Sequence, residues 1–118
     1  MEEKRKFTRI VCNMKASVRI DDLINVEANN LNISLNGALF EIADYFVFKK
    51  GDNCQLTIIL PNSDIRLQFK TEVMHSSGKM VGVRFLPIDT ETLFHLRSLM
   101  ESRTSNPEQV ESELTLLN

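Results

Sequence analysis

Apolar and polar residues alternate through most of the chain, and this pattern predicts β-strands. Cys12, Met14, Ala16, Val18 and Ile20 alternate with polar residues, as in a strand with one buried and one exposed face. Five more such segments cover about 26–35, 38–42, 54–60, 65–73 and 81–85. The turn signals between them are Asp21-Asp22, Asn36-Gly37, Gly51-Asp52, Pro61-Asn62 and Ser76-Ser77-Gly78. Six short strands predict an all-β antiparallel barrel or sandwich.

Two local features refine this prediction. The apolar positions change from even to odd numbers near Asn29-Asn30, which indicates a β-bulge that re-aims the following side chains. Asn36-Gly37 predicts a hairpin turn, because both residue types tolerate positive φ.

One helix is predicted after the last strand. Asp89 is a good N-cap whose carboxylate can accept from the Thr92 amide. Ile88 and Leu93 occupy the positions of a hydrophobic staple. Leu93, Leu96, Leu99 and Met100 form an apolar stripe that suits a helix covering one end of a barrel.

The polar segment from Thr104 onward leaves two alternatives open. Val110, Leu114 and Leu117 fall at helical spacing, which fits a short helix on the body or on a partner. The other alternative is a frayed, disordered end. We therefore divide the chain into a flexible basic arm (1–10), a barrel with its C-terminal helix (11–103) and an acidic tail (104–118).

Composition narrows the class of protein. A chain of 118 residues with 42% hydrophobic residues fits one globular domain. The N-terminus lacks the apolar region of a secretory signal, and the longest apolar runs are too short to span a bilayer. Cys12 and Cys54 give no disulfide framework and are expected in the core. We expect a cytoplasmic protein without membrane insertion.

Charge is distributed unevenly along the chain. The formal net charge of -2 argues against a general nucleic-acid binder. Lys4, Arg5, Lys6 and Arg9 nevertheless make the N-terminus basic, whereas the tail carries Glu108, Glu111 and Glu113 without a Lys or Arg. The arm is therefore the first place to look for an anionic partner.

Catalysis and metal binding are disfavoured. No Ser or Cys lies in a recognisable nucleophile motif. Glu91 and His95 share one face of the predicted helix, but such a pair without further ligands is usually a solvated surface. We predict neither an enzyme nor a metal site.

Two polar motifs remain. Arg5 and Arg9 lie four residues apart and can converge on one anion, although an ordinary basic N-terminus has the same appearance. Asn32 and Ser34 share one face of a strand just before Gly37; the alternatives are a plain polar strand face and a glycosylation sequon, and the missing signal peptide disfavours the sequon.

Taken together, Arg-x-x-x-Arg followed by Asn-x-Ser-x-x-Gly resembles the PilZ domain family, over about residues 4–103. Val81-Gly82-Val83-Arg84-Phe85, Pro87-Ile88-Asp89 and a Leu-rich helix are similar to the usual end of such domains. The resemblance implies a six-stranded antiparallel β-barrel with a C-terminal helix, and a bacterial receptor for cyclic di-GMP. It implies that Arg5, Arg9, Asn32, Ser34 and Gly37 bind this ligand.

The resemblance also implies secondary contacts. Family members often place an aromatic base-contacting residue before the last hairpin. Met74 or His75 would have to serve here, and Lys4 and Lys6 would add attraction for phosphate. Ligand binding is then expected to order the arm and to change the surface seen by a protein target. By family analogy this target belongs to motility, secretion or polysaccharide machinery, and the chain acts as an adaptor without an output domain of its own.

Two other functions stay open at this point. One is a degenerate PilZ-like adaptor that binds protein and no nucleotide. The other is a single-stranded nucleic-acid binder on a small barrel, which the low positive charge of the body disfavours.

Overall fold

Seven strands and two helices make up the part of the chain that the computed structural model describes, namely residues 7–20, 24–42 and 47–117. The predicted turn at Asp21-Asp22 and part of the connection at 44–53 lie outside these residues. The strands are β1 (Ile10–Cys12), β2 (Lys15–Arg19), β3 (Asn25–Ile33), β4 (Gly37–Ile42), β5 (Asn53–Ile59), β6 (Arg66–Ser77) and β7 (Met80–Phe85). The helices are α1 (Thr90–Arg103) and α2 (Pro107–Glu113), and a 3-10 turn (Leu114–Leu116) follows α2.

The strands close into an antiparallel barrel. Around the barrel the order is β3, β4, β7, β6, β5 and β2, and β2 pairs with β3 again. β1 and β2 both pair with β3, so they are two parts of one barrel strand. The predicted six-stranded antiparallel barrel with a C-terminal helix is confirmed.

The bulge in β3 explains why the first predicted strand is divided. The register with β4 shifts between Asn29 and Asn32, and Asn30 has a φ of 51°. β1 pairs with β3 after this bulge and β2 pairs before it, and Asn13 and Met14 join the two parts. The bulge is thus confirmed, whereas the prediction of one continuous strand over 12–20 is wrong.

The core follows the predicted alternation. Its fully buried large side chains include Phe40, Leu56 and Phe69, and the Phe69 ring stacks on Phe85 with a centroid distance of 4.3 Å. Strand β6 differs from the prediction at both of its ends. Ile65 is exposed and precedes β6, and β6 continues through Ser77 so that the turn is made by Gly78 with Lys79.

Helix α1 begins as predicted. Asp89 is its N-cap, and its carboxylate accepts from the Thr92 amide at 2.7 Å. The carboxylate also accepts from the Thr92 hydroxyl at 3.0 Å. Leu96, Leu99 and Met100 are buried in the core, so α1 packs its apolar stripe against the barrel.

The tail folds back onto the body as α2. Asn106 caps this helix, and Pro107 occupies its first turn, where a missing amide proton costs nothing. Val110 is fully buried in the core, and Leu114 and Leu117 pack against it. Of the two alternatives for residues 104–118, the structure contains the short helix.

Candidate functional site

A surface cavity of about 540 Å³ brings together four of the five principal residues that the motifs predict. Arg9, Asn32, Ser34 and Gly37 all line it. Met74 and His75, the predicted secondary contacts, lie on the same cavity wall. Arg5, Lys4 and Lys6 lie outside the described residues, so their predicted role stays a prediction.

The pairing of β1 with β3 explains how the two motifs meet. The register joins Ile10 to Ile33 and Val11 to Asn32. Arg9 directly precedes β1 and Ser34 directly follows β3, so both lie next to the paired residues Ile10 and Ile33 and both line the cavity. The two motifs are distant in sequence, but strand pairing makes them neighbours.

One row of cross-strand neighbours contributes Asn32, Leu39, Gly82 and His75 to the cavity wall, from four strands. Asn32 pairs with Val11 on one side and with Leu39 on the other. Leu39 pairs with Gly82, and Gly82 pairs with His75. Because side chains alternate between the two faces of a sheet, this whole row faces outward.

Ser34 is more buried than the sequence suggested. It lies just beyond the end of β3 and is only 4% exposed. Its hydroxyl donates to Asn36 Oδ1 at 2.6 Å, and the backbone N–H of Asn36 donates to the same hydroxyl at 3.3 Å. Asn32 and Ser34 line the same cavity, but Ser34 does so from the loop after β3 and not from the open strand face that was expected. Ser34 shapes the loop at the base of the cavity.

Gly37 is required for a different reason from the one expected. Among the described glycines, only Gly51 and Gly78 have positive φ. Gly37 is the first residue of β4 and pairs with Arg84 of β7. A Cβ at this position would collide with the backbone carbonyl oxygen of Val83. Close contact between strands, not a left-handed turn, calls for glycine here.

His75 covers a second glycine. A Cβ on Gly82 would collide with the His75 imidazole, which therefore lies directly over the backbone of β7. The register of β6 and β7 shifts between Val73 and His75, and Met74 at this irregularity is 40% exposed. The shift thus turns both Met74 and His75 toward the cavity, where strict alternation would show only one of them.

Arg84 is a cavity residue that sequence reasoning missed. It faces outward opposite Gly37, and its Nε donates to Glu72 Oε1 at 2.7 Å. With the exposed Arg9, it gives the cavity two guanidinium groups. The available signal was the outward position of Arg84 in β7, which becomes informative only when the pairing of β4 and β7 is known.

The cysteines do not contribute chemistry to this cavity. Cys12 and Cys54 are both buried and free, and burial raises the pKa of both thiols. A raised pKa keeps a thiol in its poorly nucleophilic, protonated form. Over the described ranges, no His, Cys, Asp and Glu side chains gather in threes in a way that could hold a metal ion.

Neither helix of the described chain has the length and apolar character needed to cross a membrane.

Comparison with solved structures shows where this fold occurs. The structure of YcgR in complex with c-di-GMP from Escherichia coli matches 98% of this chain and 51% of its own, with a TM-score of 0.66 and 14% identity. Bacillus subtilis inhibitor of motility (MotI/DgrA) matches 86% of this chain and 54% of its own, with a TM-score of 0.62 and 16% identity. The chain therefore spans about half the length of these two proteins.

A third structure is an isolated domain. The PilZ domain of CeSA from a cellulose-synthesizing bacterium matches 78% of this chain and 93% of its own, with a TM-score of 0.62 and 14% identity. A comparison with curated proteins gave no match. The family model of the PilZ domain matches residues 3–102, which is most of the sequence and includes both motifs. The chain belongs to the PilZ domain family.

Proposed function

We propose that this protein is a receptor for cyclic di-GMP and that the ligand binds in the cavity at Arg9. One observation carries the proposal: the fold places Arg9, Asn32, Ser34 and Gly37 around a single cavity, although they come from two separate motifs. Membership of the PilZ family supports the nature of the ligand, and YcgR is a family structure that was solved with it.

The cavity has a suitable size and charge. Its volume of about 540 Å³ lies within the range of small-molecule sites. The ligand carries two phosphate groups and two guanines. The planar fork of an arginine matches phosphate oxygens and the O6/N7 edge of guanine. Arg9 is exposed and lines the cavity. Arg84 is a second arginine that lines it, with its guanidinium also paired to Glu72.

The outward row of side chains supplies contacts to the bases. Asn32 is half-buried and offers an amide that both donates to and accepts from a guanine edge. His75 and Met74 are exposed and line the same cavity. In this proposal the His75 ring stacks on a purine, which is favourable for any base.

In this proposal Arg5 joins Arg9 on the bound ligand, and Lys4 and Lys6 add attraction for the phosphates. The arm then covers the cavity and changes the surface that a protein target meets. By analogy with relatives whose names refer to motility and cellulose synthesis, we propose that this target belongs to motility or polysaccharide machinery. PilZ domains are receptors and adaptors, so the output is expected to come from this target.

The direct test is calorimetric titration of the protein with cyclic di-GMP. Binding with saturable heat at tens of micromolar protein is expected. A wild-type titration without heat above background would contradict the receptor function and would favour an adaptor that binds protein alone.

Single substitutions test the binding residues. Arg9→Ala is expected to weaken binding by about tenfold to a hundredfold, because a hydrogen bond to a charged group contributes about 1.5–3 kcal/mol. Ser34→Ala is expected to weaken it by about tenfold, because Asn36 loses its partner. Lys50→Ala is the control, since Lys50 is exposed and lies outside the cavity. Equal affinities of Arg9→Ala and Lys50→Ala would contradict the proposed site.

A further inference from the structure

Helix α2 is hydrogen-bonded to the segment just before Arg9. Glu113, the last residue of α2, accepts two hydrogen bonds from Thr8, which immediately precedes Arg9. The Thr8 amide donates to Oε1 at 2.8 Å, and the Thr8 hydroxyl donates to Oε2 at 2.6 Å. Both carboxylate oxygens are thus engaged by a residue 105 positions earlier in the sequence.

The location of this carboxylate is unfavourable without those contacts. Glu113 is only 2% exposed, and burying a carboxylate is costly unless it is hydrogen-bonded. It also lies at the C-terminal end of a helix, where the backbone dipoles disfavour negative charge. The two donors of Thr8 help to offset both costs. Docking of α2 and the conformation of Thr8 therefore depend on each other.

An apolar groove lies beside this polar contact. Phe7, Leu116 and Leu117 line a groove of about 380 Å³ next to the barrel. Asn36 and Arg84 line both this groove and the nucleotide cavity. Residues 7–8 and 113–117 thus meet beside the proposed ligand site.

We propose that Glu113 is a positioning residue for the cyclic di-GMP site, an inference that rests on the proposed function. By fixing both the backbone and the side chain of Thr8, it sets the direction in which Arg9 enters the cavity. By linkage, a ligand that holds Arg9 stabilises the docked position of α2.

Calorimetric affinities test this coupling. Glu113→Gln places an amide donor against one of the two Thr8 donors and is expected to weaken cyclic di-GMP binding about tenfold, within the usual range of coupling between sites. Thr8→Val removes only the hydroxyl and is expected to weaken it about threefold. In the double variant the two losses should not multiply, because both act on one contact. Glu108→Gln, an exposed change in the same helix, is the matched control.

Hydrogen exchange distinguishes positioning from general stabilisation. Cyclic di-GMP is expected to slow amide exchange in residues 107–117 of the wild type, and this effect should be lost in Glu113→Gln. If Glu113→Gln does not fold, Thr8→Val carries the same test with the smaller effect.

The outcomes separate the two proposals. Wild-type binding with unchanged affinity in both Glu113→Gln and Thr8→Val overturns the role of Glu113 and leaves the receptor function intact. Unchanged exchange in residues 107–117 on ligand addition overturns it too. A wild type that does not bind cyclic di-GMP overturns both.

Discussion

Two glycines of the cavity wall show how single residues determine the site. Gly37 lies in β4 and Gly82 lies in β7. At both positions a Cβ would collide with a neighbouring atom. At Gly37 the obstacle is the backbone of β7, which cannot move without separating the strands. At Gly82 the obstacle is the ring of His75, an exposed side chain that can rotate away.

Alanine at these two positions is therefore expected to have different effects. Gly37→Ala should lower the free energy of unfolding by about 1–3 kcal/mol, as overpacking does. Gly82→Ala should change it by less than about 1 kcal/mol, yet weaken cyclic di-GMP binding because His75 is displaced. Urea unfolding and calorimetric titration of both variants check this. Equal losses of stability would show that the β4–β7 contact is not the reason for Gly37.

Sequence spacing was sufficient to select Arg9, Asn32, Ser34 and Gly37, which line one cavity, because each of the two motifs is linear. It could not assign the correct role to each. Ser34 was expected to point outward but is buried in its loop, and the need for Gly37 comes from Val83, a residue of another strand. Asn36 and Arg84 were missed, because their positions at the cavity depend on loop geometry and on strand pairing.

At the scale of elements, the cap of α1 links the fold to pH. Hydrogen bonds from the Thr92 amide and hydroxyl lower the pKa of Asp89 below its ordinary value. The folded state therefore favours the charged carboxylate. Its contribution to stability is complete above the ordinary aspartate pKa of about 3.9 and is lost as the pH falls through the lower folded-state value.

Asp89→Asn isolates this effect, because asparagine also caps helices but does not titrate in this range. The wild type is expected to lose more stability than Asp89→Asn between about pH 5 and pH 2. Urea unfolding at a series of pH values measures the difference. Parallel pH profiles of the two proteins would contradict a role for the Asp89 charge.

Most elements were predictable, because each strand shows its buried face in alternate residues. The bulge at Asn30 was also visible in the sequence, as a change of parity. The division of the first strand was not, because it follows from pairing with β3 on both sides of that bulge. The tail left two alternatives open, because a helix of seven residues is decided by what it packs against.

At the scale of the whole molecule, barrel closure creates the site. The cavity wall crosses four strands, from Asn32 to His75, so no single segment contains it. α2 adds a further connection, because Glu113 joins the end of the chain to the segment before Arg9. We therefore expect ligand binding at the cavity to stabilise α2 as well as to order the arm.

The central claim is that cyclic di-GMP binds in this particular cavity, and amide-resolved NMR titration tests it most directly. Saturable shifts are expected in residues 32–39 and 74–84, with cyclic di-AMP as a control that lacks the guanine O6. The exposed side chains of β5, none of which lines the cavity, should stay unchanged. Saturable shifts confined to residues outside the cavity, or no shifts at all, would contradict the account.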